Sequence, residues 1–231
     1  MGHIPAMKTL ILGLVLFCFV TSAFALDKAA LDSRIRKLTT KFETMQLNPE
    51  KRVPAVNLRK AKGVILLNRT KAGFIFAYQG GGGVAMVKDP KTEQWSPAAF
   101  VSASEASLGF QIGGEQGFYV ILLMHTNAVN MLTQPKIDFA GEARGTAGDS
   151  SAGEEGKISD TGHPVLVYSD RAGLYGGAAI KGGTISADDE ANRIYYGDYL
   201  TMRDILFDKK VKASDTEIEL AGKLAEYSKE K

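Results

Sequence analysis

The stretch VLVYSDRAGLYGGAAIKGGTISADDEANRIYYG, residues 165–197, decides the fold class. It is typical of a strand, a glycine turn, a strand of small residues, a hairpin and an aromatic closing segment. Short strands that are joined by tight glycine turns favour antiparallel pairing, because a tight turn brings the chain back beside itself. The stretch carries no catalytic motif.

The chain outside this stretch adds further short strands. Aromatic side chains alternate with aliphatic ones in residues 74–78, and large apolar side chains alternate with Gly109 and Gln111 in residues 108–112, as in strands. Residues 118–124 are apolar at every position, so this strand is predicted to be covered on both faces. Further strands are predicted at residues 64–67, 84–88, 98–103, 137–140, 165–168, 174–180 and 184–187, with a break at the glycines 80–83 and a polar turn at residues 188–190.

The N-terminal part of the domain is predicted to be an amphipathic helix over residues 27–45, with Asp27 as its N-cap. Its apolar positions recur every three or four residues, at Leu31, Ile35, Leu38, Phe42 and Met45. One flank of this stripe is basic and contains Arg34, Lys37 and Lys41. Two interpretations stay open: a surface helix that packs on the domain, or an interfacial helix that lies on a membrane with its basic flank toward lipid phosphates.

Further helical segments are predicted, among them a short helical turn at residues 127–132 and a short helix at residues 202–207. Pro54 suits the first turn of a short helix over residues 55–62, which Gly63 stops. Residues 215–229 form the last helix, with Ile218, Ala221, Leu224 and Ala225 on one face. We therefore predict a single α+β domain with a strongly bent antiparallel β-sheet, an N-terminal amphipathic helix and a C-terminal helix.

Residues 1–25 have the pattern of a signal peptide. Lys8 gives a positive start, an apolar run follows, and Ala23-Phe24-Ala25 fits a cleavage site. Cleavage after Ala25 would leave residues 26–231 as the domain, in the periplasm or secreted. An uncleaved membrane anchor is the alternative, because the apolar run extends over 18 residues, 9–26. Lipoprotein processing at Cys18 is disfavoured by the bulky Phe17 before it.

Charge and cysteine content narrow the classes of function. Residues 26–231 contain 27 basic and 26 acidic side chains, and this near-neutrality argues against a nucleic-acid partner. Cys18 is the only cysteine, so an exported chain without residues 1–25 would have no disulfide. Any anion binding has to come from a local cluster of cations.

Motifs of common enzymes are absent from the sequence. It has no HExxH, Walker loop, GxSxG or CxxC pattern, and we predict no catalytic residue, cofactor or metal site. The acids at 188–190 lack the spacing of a calcium loop. A lipid hydrolase ranks third among the functions considered, and a buried nucleophile beside His125 or His163 would identify it.

Three blocks of sequence resemble the SYLF family of lipid-binding domains. They are NLRKAKGVILL at residues 57–67, GGGGVAMVKDPKTEQWSPAAFVSASEASLGFQIGGE at 80–115, and the stretch at 165–197. The resemblance implies a non-enzymatic domain over residues 26–231 that recognises membrane phospholipid. Some eukaryotic members bind actin, which is not expected of an exported protein.

A set of cations is the candidate lipid-binding site. Arginine and lysine supply the charge and the donors that phosphate recognition requires. The resemblance implies a role for the N-terminal basic portion, and scattered solvated charge is the alternative. The predicted site residues are Arg34, Lys37, Lys41, Arg59, Lys60, Lys62, Arg69, Lys71 and Lys181. The competing function is a structural or interaction protein of the envelope that binds another protein through its sheet surface.

Overall fold

The computed structural model describes residues 26–71, 79–104, 117–138, 165–170, 173–175 and 184–229. Its helices are α1 (Lys28–Gln46), α2 (Ala55–Lys60), α3 (Thr126–Asn130), α4 (Asp189–Tyr196), α5 (Met202–Leu206) and α6 (Asp215–Tyr227). Its strands are β1 (Gly63–Lys71), β2 (Gln79–Val87), β3 (Ala99–Ser104), β4 (Gly117–Leu123), β5 (Ile137–Asp138), β6 (Val165–Ser169), β7 (Gly173–Tyr175) and β8 (Thr184–Ala187). The predictions for residues 1–25, 74–78 and 108–112 lie outside the described residues.

All described strands belong to one sheet, in the order β5-β8-β3-β2-β1-β4-β6-β7. Every described pairing is antiparallel, and the order does not close on itself. This arrangement confirms the α+β class. The strand β4 is buried at every position, as its continuous apolar sequence predicts.

Helices cover both faces of the central strands. Alternate residues of β1 point to opposite faces, since the side-chain period of a strand is two. Val64 and Leu66 pack in one apolar cluster with side chains of α1, α2, α4 and α6. Ile65 and Leu67 pack in a second cluster with side chains of α3 and α5. The sheet is therefore the middle layer of three.

The apolar stripe of α1 lies in the first of these clusters. Leu31, Ile35, Leu38, Phe42 and Met45 are each at most 2% exposed. Asp27 caps the helix by accepting a hydrogen bond from the Ala30 amide at 2.7 Å. The interpretation of α1 as a surface helix packed on the domain is confirmed, and its stripe is not available to lie on a membrane while the domain is folded.

Two buried polar side chains fix α4 and α6 to the start of β3. Asn192 of α4 accepts a hydrogen bond from the Phe100 amide at 2.7 Å and donates one to the Phe100 carbonyl at 3.1 Å. Glu217 of α6 is fully buried, and its carboxylate accepts hydrogen bonds from the Ala98 amide and the Tyr196 hydroxyl, both at 2.6 Å. These contacts satisfy backbone groups at and just before the start of β3, where the Asp188 amide also donates to the Phe100 carbonyl at 3.0 Å.

The predicted polar turn at residues 188–190 was wrong. Asp188 is the N-cap of α4, and Asp189 and Glu190 occupy its first turn. Acids are favoured there by the helix dipole, so the same residues that suggest a turn also begin a helix. The face predicted for α6 was half right: Leu224 is buried, but Ile218 is 58% exposed, and Leu220 and Tyr227 lie inward instead.

The predicted break at the glycines 80–83 was also wrong, because β2 runs through them. Gly83 pairs with Leu67 in β1, and a Cβ atom at Gly83 would lie 2.2 Å from the Leu66 carbonyl oxygen. Glycine is required here by a close approach of two backbones rather than by a turn. The helix α2 ends at Lys60, two residues before the predicted end.

No helix among the described residues is both long enough and apolar enough to span a bilayer.

Gly83→Ala is expected to lower the free energy of unfolding by about 1 to 3 kcal/mol, because the added methyl group forces β1 and β2 apart. Urea unfolding followed by circular dichroism measures the change. Gly222→Ala is the matched control: a Cβ there meets no atom within 4 Å, and α6 should gain about 0.5 to 1 kcal/mol. Equal stability of the two variants would contradict the close approach at Gly83.

Candidate functional site

The chain turns sharply after α1 and forms a compact corner over residues 47–62. The helix ends at Gln46, before Asn48-Pro49, and the Gln46 side chain holds Val53 by two hydrogen bonds. It accepts one from the Val53 amide at 2.8 Å and donates one to the Val53 carbonyl at 3.3 Å. Pro54 starts α2 from an extended conformation. The segment contains five basic side chains and one acidic side chain, and we call it the basic corner: Lys51, Arg52, Arg59, Lys60 and Lys62, with Glu50.

Buried contacts hold α2 in place beneath its charged side. Asn57 donates a hydrogen bond to the Tyr168 hydroxyl of β6 at 2.7 Å, and both side chains are buried. Burial raises the pKa of Tyr168 to about 12, so the phenol is protonated at neutral pH and its oxygen accepts from Asn57. The helix is thereby fixed on the sheet, and its outer side faces solvent.

Lys88 braces the other end of α2. Its ammonium donates hydrogen bonds to the carbonyls of Leu58 at 3.3 Å and Arg59 at 2.9 Å, which are among the last carbonyls of the helix. Burial lowers the pKa of Lys88, and the nearby charge of Lys62 acts in the same direction. This role of Lys88 was not predicted from the sequence, although a lysine directly after a buried strand is a usable signal for it.

Arg59, Lys60 and Lys62 are exposed. Within the described part of the chain, none of the three forms an ion pair with a carboxylate. The structure therefore brings together the cluster that the sequence predicts. Lys51 and Arg52 precede this cluster in the segment that the Gln46–Val53 hydrogen bonds position, and neither was among the predicted site residues. Arg52 is exposed and Lys51 is half-buried.

The predicted residues of α1 divide into two groups. Lys37 and Lys41 are exposed and lie one turn apart on the helix surface, on the side that continues through Thr44 toward the basic corner. Arg34 is half-buried, with its guanidinium 3.2 Å from the Asp188 carboxylate and against the backbone of Gly82. The charge of Arg34 is thus paired inside the protein, whereas Lys37 and Lys41 extend the charged surface.

Arg69 and Lys71 do not join the basic corner. Both belong to β1, which continues to Lys71, four residues beyond the predicted end of that strand at residue 67. Lys62 precedes the first residue of β1, so Arg69 lies roughly 23 Å farther along the strand direction. Lys181 is outside the described residues. Among the predicted cations whose side chains the structure describes, Arg59, Lys60 and Lys62 belong to the basic corner, Lys37 and Lys41 lie on α1, and Arg34 is paired with Asp188.

The described residues offer no support for a hydrolase or a metal site. His125 is exposed and precedes α3, and its ring makes no hydrogen bond to a described side chain. Asp188 accepts from Ala191 and pairs with Arg34 rather than collecting a cation. No group of three or more metal-ligating side chains occurs among the described residues. His163 lies outside them.

Comparison with known proteins identifies the family. The family described as "Ysc84: Las17-binding protein actin regulator" matches residues 104–227. This chain belongs to the Ysc84 family. The SYLF resemblance is thereby confirmed, and the matched residues extend from the end of β3 to the end of α6. The basic corner precedes them, so the family match alone assigns it no role.

Alignments with three similar proteins show what share of each relative's length this Ysc84-family chain covers. SH3 domain-containing YSC84-like protein 1 of Rattus norvegicus is 30% identical over 166 residues, which are 71% of this chain and 48% of the relative. Protein YSC84 of Saccharomyces cerevisiae is 32% identical over 158 residues, 67% of this chain and 34% of the relative. LAS seventeen-binding protein 3 of the same yeast is 30% identical over 158 residues. The chain spans about half the length of the rat relative and a third of the first yeast relative.

Tyr168→Phe is expected to lower the free energy of unfolding by about 1 to 3 kcal/mol, because it leaves the buried Asn57 amide without its acceptor. Thermal and urea unfolding measure the loss. The control is Tyr199→Phe, since Tyr199 is 85% exposed and its hydroxyl can bond to water in either state. If both variants were as stable as the wild type, Tyr168 would not anchor α2.

Proposed function

We propose that this chain is a non-enzymatic phospholipid-binding protein of the cell envelope that docks on anionic membranes through the basic corner, extended by Lys37 and Lys41. One observation carries the proposal. In a chain whose charges almost balance, the segment at 47–62 holds five cations against one acid, and four of those cations, Arg52, Arg59, Lys60 and Lys62, are exposed.

An uneven charge distribution suits docking on a surface. A near-neutral protein gains little from a uniform field, but a local basic patch orients it toward negative lipid headgroups. Each lysine or arginine at such a surface contributes on the order of 1 kcal/mol. Fixed positions help as well, because less conformational freedom is lost when an already ordered segment binds.

The envelope location in this proposal depends on the signal-peptide pattern of residues 1–25. The family description names an actin regulator and Las17 binding, and these words apply to the relatives. We propose phospholipid rather than actin for this chain, because an exported protein meets the membrane surface. The competing idea of a protein partner on the sheet surface has little support: β1 and β4 are covered on both faces.

Replacing Arg59, Lys60 and Lys62 together by Gln is expected to weaken binding to anionic vesicles by about two decades if all three face the membrane. Co-sedimentation with phosphatidylcholine vesicles, with and without phosphatidylglycerol, measures it. Binding of the wild type should also fall as salt rises, because the Debye length shortens from roughly 10 Å at 0.1 M to roughly 3 Å at 1 M.

The matched control removes three exposed cations elsewhere, by Arg193→Gln, Arg203→Gln and Lys212→Gln. Its net charge equals that of the first triple variant. A difference in vesicle binding between the two triple variants therefore reports the position of the charges rather than their number. Equal losses would show that only net charge matters. Equal pelleting of wild type with neutral and anionic vesicles, or none at all, would refute headgroup recognition. If Lys181→Gln weakens binding and the first triple variant does not, the site is elsewhere.

A further inference from the structure

Two large apolar side chains of the basic corner face solvent. Leu47 is 76% exposed and Val56 is 47% exposed. Only Tyr199 and Ile218 are large, apolar and exposed elsewhere among the described residues. Single exposed apolar residues are ordinary on protein surfaces. Here, however, half of them fall within one short basic segment.

Leu47 and Val56 flank the contact that closes the corner. Gln46 and Val53 are buried and hydrogen bonded to each other. Leu47 directly follows Gln46 in the chain, and Val56 lies three residues after Val53. Leu47 also lies on the rim of a shallow, open depression with Thr44, Asn48, Pro49 and Glu50. Met45, two residues before Leu47, and Val53 are each at most 2% exposed, so these side chains occupy the core whereas Leu47 does not. Leu47 therefore stays outside in the folded protein.

Exposed apolar side chains within a basic segment match the anionic face of a phospholipid bilayer. Cations contact the phosphates, and apolar side chains enter the boundary between headgroups and acyl chains. The stripe of α1 is buried, so it does not serve this purpose in the folded domain. We infer that Leu47 and Val56 are the side chains that insert into an anionic bilayer when the basic corner docks. This inference rests on the proposed function and adds the inserting residues and the orientation of the domain.

Ile218 provides a matched control for insertion. It is 58% exposed, but it lies near the start of α6, where Thr216 donates a hydrogen bond to Asp32 of α1 at 2.8 Å. Leu47 lies at the opposite end of α1, on the order of 20 Å from Asp32 at the rise of an α-helix. A change at Ile218 thus alters surface hydrophobicity without touching the basic corner.

The first experiment compares Leu47→Gln, Val56→Gln and Ile218→Gln in co-sedimentation with vesicles of phosphatidylcholine and phosphatidylglycerol. Each corner variant should bind about tenfold more weakly than the wild type. The reason is that it loses the free energy gained when part of an aliphatic side chain moves from water into the bilayer. Ile218→Gln should bind as the wild type does. All variants retain residues 1–231, so any contribution of the N-terminal segment is common to them.

A second readout tests insertion directly. In a Cys18→Ser background, which has no other cysteine, Leu47→Cys and Ile218→Cys are labelled with an environment-sensitive dye. Anionic vesicles should shift the emission to the blue at position 47 and leave position 218 unchanged. Unfolding curves of the labelled proteins establish that both are folded.

The outcomes separate the inference from the proposed function. If the wild type binds no vesicles, both fail. If it binds anionic vesicles but the corner variants match Ile218→Gln and the dye at position 47 does not shift, charge alone docks the protein and the inference is wrong. If Leu47→Gln instead converts a dimer into a monomer and leaves vesicle binding unchanged, Leu47 contacts a second copy of the chain, which also overturns the inference.

Discussion

The packing of the α1 stripe against the sheet is the contact on which the rest of the structure depends. Its five large apolar side chains join the cluster that contains the core-facing residues of β1, β2 and β4. Burying a side chain of this size is worth roughly 1.5 to 3 kcal/mol, so releasing the whole stripe would exceed the stability of many domains. A membrane that bound α1 by its apolar stripe would have to unfold the domain.

That constraint moves the candidate membrane contact from the helix to the turn that follows it. The position of the turn is set by the Gln46–Val53 hydrogen bonds, and α2 is fixed by Asn57 on one side and Lys88 on the other. Cations that project from a braced corner keep their arrangement when they meet a surface. The same brace keeps Leu47 outside the core, which connects the charged and the apolar parts of the proposed contact.

Periodicity in the sequence predicted α1, the fully buried β4 and the α+β class, because each follows from local spacing of apolar residues. The glycines 80–83 wrongly suggested a break, because Gly83 is required by its approach to β1, which is distant in sequence. The acids 188–190 wrongly suggested a turn, because the residue types that favour turns also cap and begin helices. The cluster of Arg59, Lys60 and Lys62 was predictable because it is local. The separation of Arg69 and Lys71 from it was not, since it required knowing how far β1 extends.

Hydrogen exchange with mass spectrometry, with and without anionic vesicles, tests the central claim most directly, because amide protection reports local opening. The account predicts that amides of α1 stay as protected on vesicles as in solution, while those of residues 47–62 gain protection. Loss of protection along α1 on vesicles, with the stripe leaving the core, would contradict it.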